Sequence, residues 1–269
     1  MRYLVLIIAA LTLAGPQAYG FSKTDLAKLI STRACVKCDL KRARLAGADL
    51  AGVNLHGAKL REAELKGANL TGANLERADL RRASLEKSRL NGAKLRGAQL
   101  SGVDFEKAVL RKADLSGADL RDADMENAKM DGALLVGADL RHADLKRAHL
   151  KGVDFSRAAL DGADMERARL QGAKLVKADL KEANLERANL TGADLGEADL
   201  RRTRLGRANL TKANLTGAAM GNVVLRLANL TGANLTGVTG LTQDNIKGAC
   251  GDATTILPAG LTIVPCHNW

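Results

Sequence analysis

From Leu40 to Leu235 every fifth residue is a large apolar side chain, Leu, Phe or Met, through forty units with no insertion or deletion. Two positions before nearly every one stands a small residue, usually Ala, as in Ala48-Asp49-Leu50-Ala51-Gly52 and Ala233-Asn234-Leu235-Thr236-Gly237. Where Ala is replaced, Val53, Val103, Val153, Val223, Ser88 and Thr203 keep that position small. A period of five excludes both regular elements. On an α-helix at ~100° per residue, successive centres would turn by ~140° and share no buried stripe. On a straight strand they would alternate between opposite faces. Composition alone, rich in Ala, Leu, Arg, Lys and Glu, favours helix, but a fixed repeat is the stronger signal. All forty centres can face inward only if the backbone turns a corner every five residues.

Units reading A-[DN]-L-x-G resemble the defining motif of the pentapeptide repeat family, and they cover about three quarters of the chain. The resemblance implies an all-β fold, a right-handed quadrilateral parallel β-helix in which four units make one coil and each contributes one side. Forty units then give about ten coils and, at ~4.8 Å between stacked strands, a rod of ~48 Å. The organisation expected is a leader over 1–20, an N-terminal cap over 21–37, the β-helix over 38–239 and a C-terminal cap over 240–269.

Caps are required because the end coils would otherwise expose unpaired backbone and core. Thr24 to Arg33 carries Leu26, Leu29 and Ile30 at helical spacing behind Ser22 or Thr24 as N-cap, which predicts a short amphipathic helix over the first coil. At the other end, Leu241 to Asp252 offers Thr242 as N-cap, Ile246 and Ala249 on one face and Gly251 as a stop. The tail through Leu257, Leu261, Ile263 and Val264 is apolar enough to pack back onto the final coil.

The first twenty residues read as a cleaved secretory signal: a basic Arg2, an apolar run from Tyr3 to Leu13, and small residues at Ala18 and Gly20 before a cut preceding Phe21. A retained anchor is the competing reading, and Pro16 stands where an acylated Cys would be in a lipoprotein site. This predicts export to the periplasm or medium of a bacterium, with no spanning segment after cleavage. Four cysteines fit such a compartment, and all lie in the caps or at their boundary: Cys35, Cys38, Cys250 and Cys266. Within the implied rod, pairing inside each end is the simplest connectivity. Cys35-Val36-Lys37-Cys38 could also be a redox pair, since Lys37 would lower a thiol pKa, but no strand and helix flank it as in thioredoxin. A zinc site would need further convergent ligands near these two.

Nothing in the chain has the spacing of a catalytic or cofactor motif: no nucleophile elbow, no G-x-G-x-x-G and no H-E-x-x-H. His56, His142 and His149 fall on three different sides when folded four units per coil, and His267 is in the tail. Charge is the remaining clue. The net charge is +11, which becomes +10 if the leader with its one Arg is removed. On the side centred on Leu40 and every twentieth residue after it, Lys41, Arg61, Arg81, Arg121, Arg141, Lys181 and Arg201 form a basic column. Beside it runs an acidic one of Asp39, Asp79, Asp119, Asp139, Asp179 and Asp199. Opposed columns can simply relieve the repulsion of stacked like charges, or excess cations can engage a polyanion.

The reading taken is a non-enzymatic scaffold or protein-interaction surface, without cofactor or metal. The alternative is a binder of an anionic envelope polymer through the basic column. A second copy meeting the chain through a cap is a further partner considered. Specific nucleic-acid recognition is disfavoured by two Tyr, three Phe and one Trp in the whole chain. Some members of the resembled family are thought to imitate duplex DNA with an acidic rod, and a basic chain departs from that. Thr191, Thr211 and Thr231 stack as in some ice-binding β-helices, but Arg111, Asp131 and Lys151 interrupt the same array.

Overall fold

The computed structural model describes residues 20–266; residues 1–19 of the expected leader and His267 lie outside the described residues. From Ala34 to Thr239 the backbone advances as a parallel solenoid whose bridges all join residues twenty apart, from Ala34 with Asn54 to Ala219 with Thr239. Each side contributes one bridged residue followed by a two-residue turn, so four sides close one coil and about ten coils stack.

One unit shows why the motif has its form. Leu60 donates its N–H to the Asp79 carbonyl of the next coil at 2.7 Å, and Asp79 returns its own N–H to the Ala58 carbonyl at 2.9 Å. At the corner the Glu62 N–H reaches the Arg81 carbonyl at 3.0 Å, while the Ala63 N–H closes the turn on the Leu60 carbonyl at 3.0 Å. These bonds leave the N–H of the residue after each centre without a backbone partner. Where Asp or Asn precedes the centre, its side-chain oxygen supplies the partner: Asp79 Oδ1 accepts from the Arg81 N–H at 3.3 Å, Asp104 from Glu106 at 2.9 Å and Asn229 from Thr231 at 2.9 Å. Asp and Asn therefore recur there because a short acceptor must fold back two residues along the chain. The second turn residue sits at positive φ, +67° at Gly67 and +59° at Glu62, which explains the frequent Gly at that position.

The core is one column. The forty centres are buried, almost all fully, together with the small residues before them. Ser88 and Thr203 are buried there too, and their hydroxyls donate to the Leu85 carbonyl at 2.6 Å and the Leu180 carbonyl at 2.7 Å. Phe105 and Met125 stack on one side and Phe155 lies on the opposite one, all fully buried, so the larger centres act as packing variants.

The caps follow the sequence in outline. Helix α1, Lys23–Thr32, starts at Ser22, whose hydroxyl accepts from the Asp25 N–H, and it buries Leu26 and Leu29 over the first coil with Ile30 partly covered. At the far end Thr242 caps α2, Gln243–Ile246, through a reciprocal capping box with Asn245. This helix is shorter than Leu241 to Asp252, because Lys247 leaves the helical region and the chain re-enters the coil pattern. Gly251 is not a helix stop. It belongs to β1, Cys250–Gly251, which pairs in parallel with β2, Val264–Pro265. Leu257 and Ile263 pack against the core as expected, whereas Val264 points outward and is 57% exposed, because its backbone serves as a rung.

Candidate functional site

Taking the sides in chain order, the first is centred on Leu40, the second on Leu45, the third on Leu50 and the fourth on Leu55, each recurring every twenty residues. The basic column expected on the first side is present and outward, but its charge is met within each unit. Arg81 places Nε and Nη2 on the two carboxylate oxygens of Asp79 at 2.8 and 2.7 Å. Arg121 does the same to Asp119 at 2.8 and 2.7 Å, and Arg141 to Asp139 at 2.9 and 2.6 Å. Arg201 repeats the clasp on Asp199, while Lys41 and Lys181 reach Asp39 and Asp179 at 3.4 and 2.8 Å. The hydrogen bond from each Arg is the main reason that Asp79, Asp119, Asp139 and Asp199 are held below the ordinary carboxylate range. Arg61 differs, since Lys59 precedes it, and it rests 3.7 Å from Glu62 with a buried Nε that has no hydrogen-bond partner.

The second side is acidic. Asp104, Asp124, Asp144 and Asp164 occupy successive rungs, and burial followed by repulsion from Asp104 and Asp144 raises the Asp124 carboxyl. Lysines answer part of this: Lys146 bridges Asp144 at 2.8 Å and Asp164 at 3.2 Å, and is pushed up to about 12 chiefly by the Asp144 hydrogen bond. Lys66 and Lys87 both bind Glu86, whose carboxyl is lowered to about 2.

The third side holds the cations that sequence reasoning passed over. Arg89, Val109, Lys129, His149 and Arg169 are consecutive rungs, and Arg111, Lys112 and Lys151 occupy the turns beside them. All six Arg and Lys residues are exposed. Asp131 is the one acid at these positions; it takes Arg111 Nε at 3.3 Å and accepts the Lys151 N–H at 3.3 Å. Among the described residues no carboxylate lies within ion-pair distance of Arg89, Lys112, Lys129, Lys151 or Arg169. Burial, and then the Arg169 cation, hold His149 below the ordinary imidazole range. Sequence reading had met Arg111 and Lys151 only as interruptions of the threonine array. The signal that could have found the cluster is the lack of acids at the strand positions of this side after Asp49, from Asn69 to Asn229.

The other expected positions do no chemistry in common. Cys35 is bonded to Cys38 and Cys250 to Cys266, and Cys35, Cys38 and Cys250 are buried, which denies a solvent thiol the access that exchange needs. His56 lies 3.8 Å from Glu76, far along the rod from His142 and His149 and on a different side. Among the described residues no three His, Cys, Asp or Glu converge as a metal site, and no helix is long and apolar enough to cross a membrane. A shallow groove between His56, Arg77, Arg96 and Ser116 on the fourth side is open and unspecialised.

The family description "Pentapeptide repeats" matches eight copies over 38–77, 58–97, 98–137, 133–172, 168–207 and 208–239. No sequence among curated proteins matches significantly. Among solved structures, HetL of the cyanobacterium Nostoc sp. strain PCC 7120, a pentapeptide repeat protein involved in heterocyst differentiation regulation, is 33% identical. It covers 86% of this chain and 97% of its own, with a TM-score of 0.51. A pentapeptide repeat protein of the Arabidopsis thaliana thylakoid lumen is 39% identical over 45% of this chain and 83% of its own, with a TM-score of 0.28. QnrB1, a plasmid-mediated fluoroquinolone resistance protein, is 18% identical over 69% of this chain and 92% of its own, with a TM-score of 0.32.

Proposed function

The chain belongs to the pentapeptide repeat family, whose right-handed quadrilateral β-helices are in general non-catalytic, and from that premise we propose that it is a rigid interaction scaffold working outside the cytoplasm. The observation that carries the reading is the contrast between an invariant interior and four unlike exteriors. Every centre is buried in one column, so sequence variation is confined to outward positions that are held at fixed heights and angles. Among the described residues the buried hydroxyls of Ser88 and Thr203 donate to peptide carbonyls, in keeping with a packing role. Two disulfides, one at each end, support an oxidising compartment and a role in which fraying must be suppressed.

The clasped arginines on the first side favour this reading over a polyanion binder acting through that column. Photocrosslinking groups placed one at a time at outward turn positions of each side, in the native cell, test it. The expected result is adducts with one reproducible protein set from one side or two adjacent sides. Equal crosslinking from all four sides, or none from any, would overturn the scaffold reading.

A further inference from the structure

We propose that the third side binds a linear acidic polysaccharide along the ladder of Arg89, Lys129 and Arg169, with Arg111, Lys112 and Lys151 flanking it. The inference rests on the scaffold reading and names a ligand for one of its sides. From Arg89 to Arg169 the ladder spans four coil steps, roughly 19 Å at strand spacing. Six cations face one carboxylate there, a local excess of five positive charges on a surface one rung wide (6 − 1 = 5).

Three features select the polymer. The strip is narrow and straight, and it delivers at least one cation in each of five successive coils, at rungs 89, 129 and 169 and at the turns 111 and 151. A chain of uronic acids carries one carboxylate per sugar, so a straight run of such a polymer can offer several acids to the strip without bending. The corners beside the strip at Gly92, Gly132, Gly152 and Gly172 carry no side chain, and the one side chain in that column between Gly92 and Gly172 is the cation Lys112, which leans over Gly132, so sugar rings can lie along the edge from Gly152 to Gly172. Nucleic acid fits less well: Phe105 and Phe155 are in the core, and among the described residues this side carries no Phe, Tyr or Trp to stack a base, only the His149 imidazole. A lipid surface fits less well again, because this side presents only a half-buried Val109 for insertion.

The third-side ladder also differs from the first-side column in a way that decides binding. Cations already clasped by a neighbouring Asp must give up a bidentate partner to meet a ligand, whereas Arg89, Lys129 and Arg169 exchange only water and counterions. His149 sits between Lys129 and Arg169 in the ladder, close enough to report a polyanion laid over it.

The test uses the full chain and polygalacturonate as the probe, with dextran, poly-dT and phosphatidylglycerol vesicles in parallel arms, measured by calorimetry at several salt concentrations. Polygalacturonate is expected to bind with steep salt dependence, and dextran not at all. R89Q/K129Q/R169Q should weaken binding by roughly ten- to a hundredfold, while R81Q/R121Q/R141Q should change it by less than about twofold. In a titration followed by NMR, the His149 imidazole should shift upward when the polymer is bound. Equal losses in the two triple variants, no loss in the first, or tighter binding of poly-dT or vesicles would each overturn the inference. Unchanged circular dichroism and melting of both variants separate loss of contact from loss of fold. A protein crosslinked in the cell together with no polygalacturonate binding refutes this proposal and leaves the scaffold standing.

Discussion

Replacing Leu140 by Ala near the middle of the rod puts the stacking argument under direct load. Leu140 is fully buried between the Leu120 and Leu160 centres of the coils on either side. Truncation costs the lost transfer of the side chain plus a cavity term, 2–5 kcal/mol in well-packed cores, and the value within that range depends on how far the site can collapse. Here it cannot collapse far. The backbone is fixed to the next coil by the Leu140 N–H on the Ala159 carbonyl at 2.7 Å, and to the previous one by the Asp139 N–H on the Ala118 carbonyl at 3.0 Å. Shrinkage would have to break rungs above and below, so the upper half of the range, about 4 kcal/mol, is expected. Because each coil touches only its neighbours, that loss should appear as a local opening. Native-state hydrogen exchange should show protection falling roughly a thousandfold at the amides of Leu120, Leu140 and Leu160, with little change toward the ends. Leu235→Ala, beside the partly buried Val238 and Leu257, has softer surroundings and should cost nearer 2 kcal/mol. A fall of less than about tenfold at Leu140, or an equal fall in every coil, would refute the reasoning.

Three further outcomes follow from the same geometry. Removing the Cys250–Cys266 bridge by double Ala substitution releases a constraint worth roughly 3 kcal/mol on a loop of this size, and limited proteolysis should then cut after α2 while coils before Leu225 stay intact; cleavage throughout the rod would contradict this. Glu86 is lowered from 4.5 to about 2, first by Lys66, so its contribution to stability is present above pH 4.5 and is lost as pH falls toward 2. NMR titration should place it there, and Lys66→Met should move it back toward the ordinary value; no movement would remove Lys66 as the cause. Arg121→Gln breaks the clasp on Asp119, yet the pair is half exposed and screened by solvent, so the melting temperature should barely move while the Asp119 carboxyl rises in an NMR titration.

The rod was legible in the sequence because its cause is local and repeated. A Leu every fifth residue forces corners, the preceding Ala leaves room for them, and the Asp or Asn that often stands before a centre answers the one amide the coil leaves over. The N-terminal helix was equally plain, since Ser22, Leu26 and Leu29 carry a cap and a face. The C-terminal cap was only half legible. Leu257, Ile263 and Val264 share hydrophobicity, and which of them turns inward is set by pairing of Val264 with Cys250, a contact fourteen residues away that periodicity does not encode. The basic surface was only partly legible for a different reason. Column counting found Arg81 and Asp79 as separate stripes, but residues two apart across a turn fold onto each other, so the richest basic column is the most thoroughly answered one. Arg89, Lys129 and Arg169 look sparser along the chain, and they carry an open field because the strip's one acid, Asp131, is taken by Arg111 and no carboxylate among the described residues reaches the three of them.

Bridges spaced by twenty residues have a further result for how such a molecule can change. Losing or gaining one five-residue unit would leave the interior continuous, yet it would swing everything downstream by a quarter turn relative to α1, carrying Arg169 into line with a different flank from Arg89. Only whole multiples of four units lengthen the shaft and keep its painted stripes straight. Growth by duplication therefore has two gaits, one that extends an existing docking edge and one that breaks it and starts another.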